Sequence, residues 1–197
     1  MGWNRVLVSL LSVLVLSVGA CSDQESSGAG AEEAGGEVLD ASDDIVVAGD
    51  PDEGIDGVSA YRIASHDHTG LQVDYPVRPA PGGPHSQMWV NCGFHDVPFD
   101  DEDLVHDLEH GAVWLAYSPD LTDAEVEVIR ELAVDHKVVA APYADLAPGE
   151  AVVATAWARQ LRLDSIDDER LEQFVARYED GSQAPEAGVT CTGSPLG

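Results

Sequence analysis

Basic side chains are scarce in this chain. Nine Lys and Arg stand against 37 Asp and Glu, a formal charge of −28 at pH 7. A surface of that sign repels phosphate backbones, which excludes nucleic acid as a partner class. It also concentrates cations, although general acidity serves solubility equally well. Long apolar runs are missing too: the stretch from Val6 to Val18 is too short to span a bilayer as a mature helix. Cysteine is limited to three residues, Cys21, Cys92 and Cys191, and no internal repeat is visible.

What is present begins with that apolar stretch. Arg5 is the lone charge ahead of it, and its size is that of a signal-peptide core. It ends in Val18-Gly19-Ala20-Cys21, which resembles a bacterial lipobox, where a small residue precedes the cysteine that is lipidated and becomes the mature N-terminus. The expectation is a signal over residues 1–20 and a lipid anchor at Cys21, placing the chain on the extracytoplasmic face of the cell membrane. An ordinary secretory signal cut near Ala20 would change the anchor but not the export. Residues 22–57 carry 12 Asp or Glu and no Lys or Arg, with Gly, Ala and Ser between them. Such a composition buries too little apolar surface to fold alone. Residues 21–57 are therefore expected as a disordered acidic tether with a reach of ~30–35 Å, and residues 58–197 as one globular domain.

With Cys21 assigned to lipid, Cys92 and Cys191 remain. In an exported chain the simplest reading is a disulfide, worth up to about 4.7 kcal/mol for a loop of roughly a hundred residues. The competing reading makes Cys92 a thiolate ligand and strands Cys191 as a thiol.

The densest chemistry lies in Val105-His106-Asp107-Leu108-Glu109-His110-Gly111. Acidic residues from Asp100 to Asp103 suit a helix N-terminus and Gly111 suits a left-handed stop, so a helix is predicted over about 101–110. At 100° per residue Leu104, Val105 and Leu108 share one sector, and His106 and His110 lie together roughly opposite. Spacing i, i+4 lets both imidazoles reach one ion, and the string fits His-x-x-Glu-His, a zinc-enzyme pattern. The plain alternative is a surface helix carrying two solvated histidines.

Around it, Tyr61–Ala64 and Leu71–Tyr75 alternate as strands do, with His66-Asp67-His68 between them. Pro76, Pro79, Pro81 and Pro84 forbid regular structure and hold His85 in place. Residues 86–91 read as a strand or an aromatic-rich turn, and Cys92-Gly93 opens another loop. Ala112–Tyr117 is a continuous apolar run, expected as a strand buried on both faces with Trp114 in the core. A helix from Asp120–Asp123 to about His136, capped by Thr122 or Asp120, leads to a strand at Val138–Ala141, so the two strands should be parallel. Ala151–Leu163 reads as one strand, bent at most, and Asp167 opens a last helix to about Tyr178. The order predicts an α+β domain, a small mixed sheet with helices packed on it.

Several of these strings together resemble one family, bacterial envelope proteins of the domain of unknown function numbered 3105. They are Pro79-x-Pro81 leading to Gly83-Pro84-His85, then Trp89, Cys92-Gly93, Val105-His106-x-Leu108-Glu109-His110-Gly111-Ala112-Val113-Trp114, and Ala156-Trp157 followed by Arg159-x-Leu161. The likeness runs over about His68–Thr192. The family usually has Ser in place of Gly82 and Tyr in place of His95. It implies an exported, often lipid-anchored single domain and supplies no activity.

Six of the seven histidines fall between residues 66 and 110. That clustering predicts a mononuclear site of His85, His106 and His110, completed by His68 or Met88, with Glu109 and Asp107 orienting the rings. Imidazoles suit copper or zinc, and Met88 would favour copper; calcium and magnesium want oxygen shells. Two alternatives stand beside this reading. One is a zinc hydrolase with Glu109 as general base; the other is a metal-free envelope scaffold or partner-binding domain whose histidines form an internal polar network.

Overall fold

The computed structural model describes residues 36–49, 54–194 and 196. The expected signal, Cys21 and the first part of the tether lie outside the described residues. Within them the order is β1 (Val38–Asp40), β2 (Ile45–Gly49), β3 (Ser59–Ile63), β4 (Gln72–Asp74), β5 (Gly93–Phe94), α1 (Asp101–Glu109), β6 (Val113–Tyr117), α2 (Asp123–Asp135), β7 (Val138–Pro142), β8 (Val152–Ala156), β9 (Arg159–Leu163) and α3 (Arg170–Tyr178). Seven strands form a mixed sheet in the order β2-β3-β9-β8-β6-β7-β5, and β1 pairs with β4 in a small parallel sheet. The α+β expectation holds.

β6 is the axis of the sheet. It pairs in parallel with β7 and antiparallel with β8, and every residue from Val113 to Tyr117 is buried. Strand geometry sends alternate side chains to opposite faces. Val113, Leu115 and Tyr117 join a core with Ile129, Phe174 and Val175, whereas Trp114 and Ala116 join one with Leu104, Val105 and Leu108. So α2 and α3 cover one face, and α1 with the proline loop covers the other. The crossover from β6 through α2 to β7 is the parallel unit expected. A capping box starts α2: the Thr122 side chain accepts from Glu125 N–H, and the Glu125 carboxylate accepts from Thr122 N–H.

Three expectations need correction. Ala151–Leu163 is not one strand but the antiparallel hairpin β8–β9, turned at Trp157-Ala158 with Ala158 at φ +60°. Alanine carries no turn signal, so the break was silent in the sequence. Residues 86–91 take the turn alternative rather than the strand, and Gly93–Phe94, expected to lie in a loop, adds a short edge strand parallel to β7. The stretch assigned to a tether already holds β1 and β2, and Ala41, Ile45 and Ile55 are buried. Each apolar group there is brief and diluted by acid, and it folds by docking on β3 and β4.

Cys92 and Cys191 are joined, with Cα atoms 5.4 Å apart across 99 residues, which removes Cys92 as a ligand. The bond ties the C-terminal segment beside β5, where Cys92 N–H donates to the Cys191 carbonyl at 2.8 Å. No helix among the described residues is long and apolar enough to cross a membrane.

Candidate metal centre

α1 supplies the chemistry because it is buried all along its C-terminal part. His106 and His110 are each 5% exposed, so the solvated-helix alternative fails. Both rings do turn from the Leu104/Leu108 side, but His68, His85 and Trp89 pack on His106, and Trp89 and Glu186 lie against His110. Gly111 ends the helix at φ +94°, and a Cβ there would sit 3.0 Å from Asp180 Oδ1. Glycine is thus required by conformation and by space alike.

The loop that brings His85 is held by its carbonyls. Gln160 Nε2 donates to Pro79 O at 2.9 Å, Ala158 N–H to Pro81 O at 2.8 Å and Tyr75 Oη to Pro84 O at 2.6 Å. Gly82 and Gly83 take φ of +143° and +116°, which lets the loop turn. His85 then meets the segment after β3 in a single parallel bridge to His68. Thr69 N–H donates to His85 O at 2.7 Å, and His85 N–H to Asp67 O at 3.1 Å. That backbone bridge seats a half-exposed His68 ring beside a fully buried His85 ring.

The rings converge. His68 lies 4.9 Å from His85 and 4.9 Å from His106, and His85 lies 5.2 Å from His106, centroid to centroid. One ring nitrogen from each falls within 4.8 Å of the other two. His106 Nδ1 donates to the Ser86 carbonyl at 2.8 Å, so the lone pair of the neutral ring sits on Nε2. His85 Nδ1 faces the Gly83 carbonyl at 2.8 Å and its Nε2 faces Glu109 Oε2 at 3.0 Å. A neutral ring has one N–H for these two acceptors. A second ring proton would satisfy both, but burial opposes it and pushes the His85 pKa down. A cation placed between Nε2 and the carboxylate resolves the conflict.

Glu109 is the anionic centre of the group. Its carboxylate, 3% exposed, accepts from His66 Nδ1 at 2.8 Å through Oε1, and Oε2 lies 3.6 Å from His68 Nε2. It touches the imidazoles directly, which is the contact an orienting carboxylate makes. Asp107 behaves differently: its Oδ2 accepts from Val90 N–H at 2.9 Å, so it holds the loop rather than a ring. Its pKa is driven well above the usual carboxylate range, chiefly by burial.

His110 stands apart from the three-ring group. Its Nε2 lies 3.0 Å from His106 Nε2 and 3.8 Å from Glu186 Oε2. Burial first, and the neighbouring His106 next, depress its pKa to about 4. Trp89 lies over the pair, 5.6 Å from His106 and 5.8 Å from His110. Met88 is half-buried on the same loop, with its N–H on Ser86 Oγ at 2.9 Å. His95 is held on the Asn91 carbonyl and against Phe99, and His136 on Glu179. His66, left without a role by sequence, belongs to the group; Glu186 gave no signal, since it reaches the helix from the C-terminal segment.

A mixed α+β domain with five histidines and a buried carboxylate gathered on one face of its sheet is the class of protein defined here. The chain belongs to the family described as Protein of unknown function (DUF3105), matched over residues 66–193. That span contains every residue of the gathered group. No curated protein and no solved structure matches the chain.

Proposed function

We propose that this protein binds a transition-metal ion, copper or zinc, through His68, His85 and His106 with Glu109 as the neighbouring carboxylate. The carrying observation is the approach of three imidazole nitrogens to within 4.8 Å of one another beside a carboxylate that is only 3% exposed. Two of the rings have Nδ1 occupied by a carbonyl, which leaves Nε2 as the nitrogen available to an ion. Tetrahedral zinc at ~2.0–2.1 Å from each ligand asks for nitrogens about 3.3 Å apart. The half-exposed His68 is the ring with room to approach the other two, and the buried His85 and His106 must close on each other by side-chain rotation. Imidazole and carboxylate donors suit zinc and copper, and copper heads the affinity order for such a set.

In this reading the domain stands on the outer face of the membrane, carried by an acidic segment from a lipidated Cys21. It holds an ion rather than turning over a substrate. Glu109 supports this over a hydrolytic role, because both its oxygens are engaged by histidine nitrogens at 2.8–3.6 Å. A general base needs an oxygen facing a bound water.

The test is the metal content of the full chain purified without a histidine tag. Near-stoichiometric copper or zinc is expected, lost in His85→Ala and His106→Ala. Protein that stays metal-free after exposure to both ions is a scaffold, and the proposal falls. If Glu109→Gln keeps its metal but abolishes a hydrolytic turnover seen in wild type, the zinc-hydrolase reading takes its place.

A further inference from the structure

His110 shares its helix face with His106 yet falls outside the three-ring group, and its surroundings explain why. Relative to His106, Glu109 is turned about 60° one way around the helix and His110 about 40° the other. The Glu109 flank meets His66, His68 and His85. The His110 flank meets Glu186, whose side chain is 54% exposed. His106 therefore sits between two donor sets.

We infer that His106, His110 and Glu186 form a second position for the ion, and that the ion passes between the two positions with His106 as the shared ligand. This rests on the metal-binding reading above. An ion ~2.0–2.1 Å from two nitrogens 3.0 Å apart makes an angle of about 95° between them, within the range of ordinary coordination. Two donors on one such ion lie at most about 4.2 Å apart, so the 3.8 Å between His110 Nε2 and Glu186 Oε2 also fits. The Ser86 carbonyl occupies His106 Nδ1, which leaves Nε2 as the donor to either position. Because that one lone pair serves both, the chain holds a single ion at a time. The transfer exchanges His68 and His85 for His110 and Glu186 while the bond to His106 persists.

Both ends of this row reach solvent. His68 and His66 are 42% and 63% exposed at one end and Glu186 is half-exposed at the other, whereas His85, His106 and His110 between them are sealed. Glu186 is not adrift: its N–H donates to the Glu109 carbonyl at 3.0 Å, which docks it on the last turn of α1. The chemistry is that of an exit. A half-exposed carboxylate is a weak, exchangeable ligand from which a chelating acceptor can take the ion.

The test follows release. Full-length chain loaded with one equivalent of Cu(II) is mixed with excess EDTA, and recovery of indole fluorescence reports departure of the quenching ion. Trp89, 5.6 Å from the shared His106, is quenched from either position, and Trp157, 6.1 Å from His85, lies nearer the first. Glu186→Gln and His110→Ala are expected to keep their copper content within about twofold and to release it at least tenfold more slowly. If His110→Ala loses copper altogether, His110 is a ligand of one joint site and the second position falls. Release of Glu186→Gln at the wild-type rate also overturns it, and that variant alters one exposed carboxylate, so folding does not confuse the result. Wild type that takes up no copper or zinc defeats the metal reading itself.

Discussion

His68 and His85 are neighbours across one backbone bridge, yet the first ring is 42% exposed and the second is fully buried. The bridge ties two chemically alike side chains to unlike tasks. His85 is fixed by the Gly83 carbonyl, while His68 can rotate. His68→Ala should therefore lower copper or zinc affinity at least tenfold while changing stability by no more than ~0.5 kcal/mol, the usual range for surface positions. His85→Ala should lose the metal and also cost roughly 2–3 kcal/mol, because it empties a sealed and hydrogen-bonded place. Metal titration and urea unfolding of the two variants separate these effects. Equal destabilisation by both would show that the bridge, not the rings, sets the difference.

An ion bound only by the folded chain stabilises it. At a free concentration a hundred times Kd the gain is ~2.7 kcal/mol, which raises the melting temperature of a domain this size by roughly 10 °C. Chelation with EDTA should return the transition to its lower value, and His106→Ala should show no response to metal or chelator. A melting temperature indifferent to both ions would contradict binding.

How far the sequence could be read follows from where each signal resides. α1 and its Gly111 stop, the buried β6 and the α2 crossover were legible, because their signals lie within ten or so neighbouring residues. The β8–β9 hairpin was hidden because its turn uses Ala158 in a glycine-like conformation. β1 and β2 were hidden because their apolar residues gain meaning only against β4 and β3. The histidine cluster was legible as a set, but its division was not. A helical wheel places His106 and His110 together; it cannot show that the Ser86 and Gly83 carbonyls occupy Nδ1 of His106 and His85, or that His68 arrives beside both rings. Glu186 arrives from a segment some 75 residues beyond α1, held there in part by the Cys92–Cys191 bond.

That bond should matter to stability and to the site together. Replacing both cysteines by Ser is expected to cost about 2–5 kcal/mol. The same segment carries Ser194, whose Oγ donates to the Trp89 carbonyl and whose N–H donates to Asn91 Oδ1 at 2.9 Å. The variant should therefore expose Trp89, red-shifting its emission, while Trp114 stays buried in the core. Thiol titration of denatured, unreduced wild type should find no reactive group from Cys92 or Cys191.

Stability should also depend on pH through Asp101, at a distance from the metal. Its carboxyl is 5% exposed, accepts from Ala80 N–H at 3.0 Å and Tyr143 Oη at 3.0 Å, and has its pKa raised to about 6, chiefly by burial. Because the folded value lies above the unfolded one, near 4, the protonated form is favoured by folding. Its contribution is whole below pH 4 and is lost as pH rises through about 6. A shift of this size corresponds to about 3 kcal/mol at most. Asp103 and Asp107 are raised as well, so the wild-type slope alone does not isolate Asp101. Asp101→Asn does, since the amide oxygen still accepts from Ala80 N–H but carries no proton to lose. Urea midpoints between pH 4 and 7.5 should fall more steeply for wild type than for the variant, with the gap opening between pH 4 and 6. Parallel profiles would show that Asp101 ionises in the fold without cost.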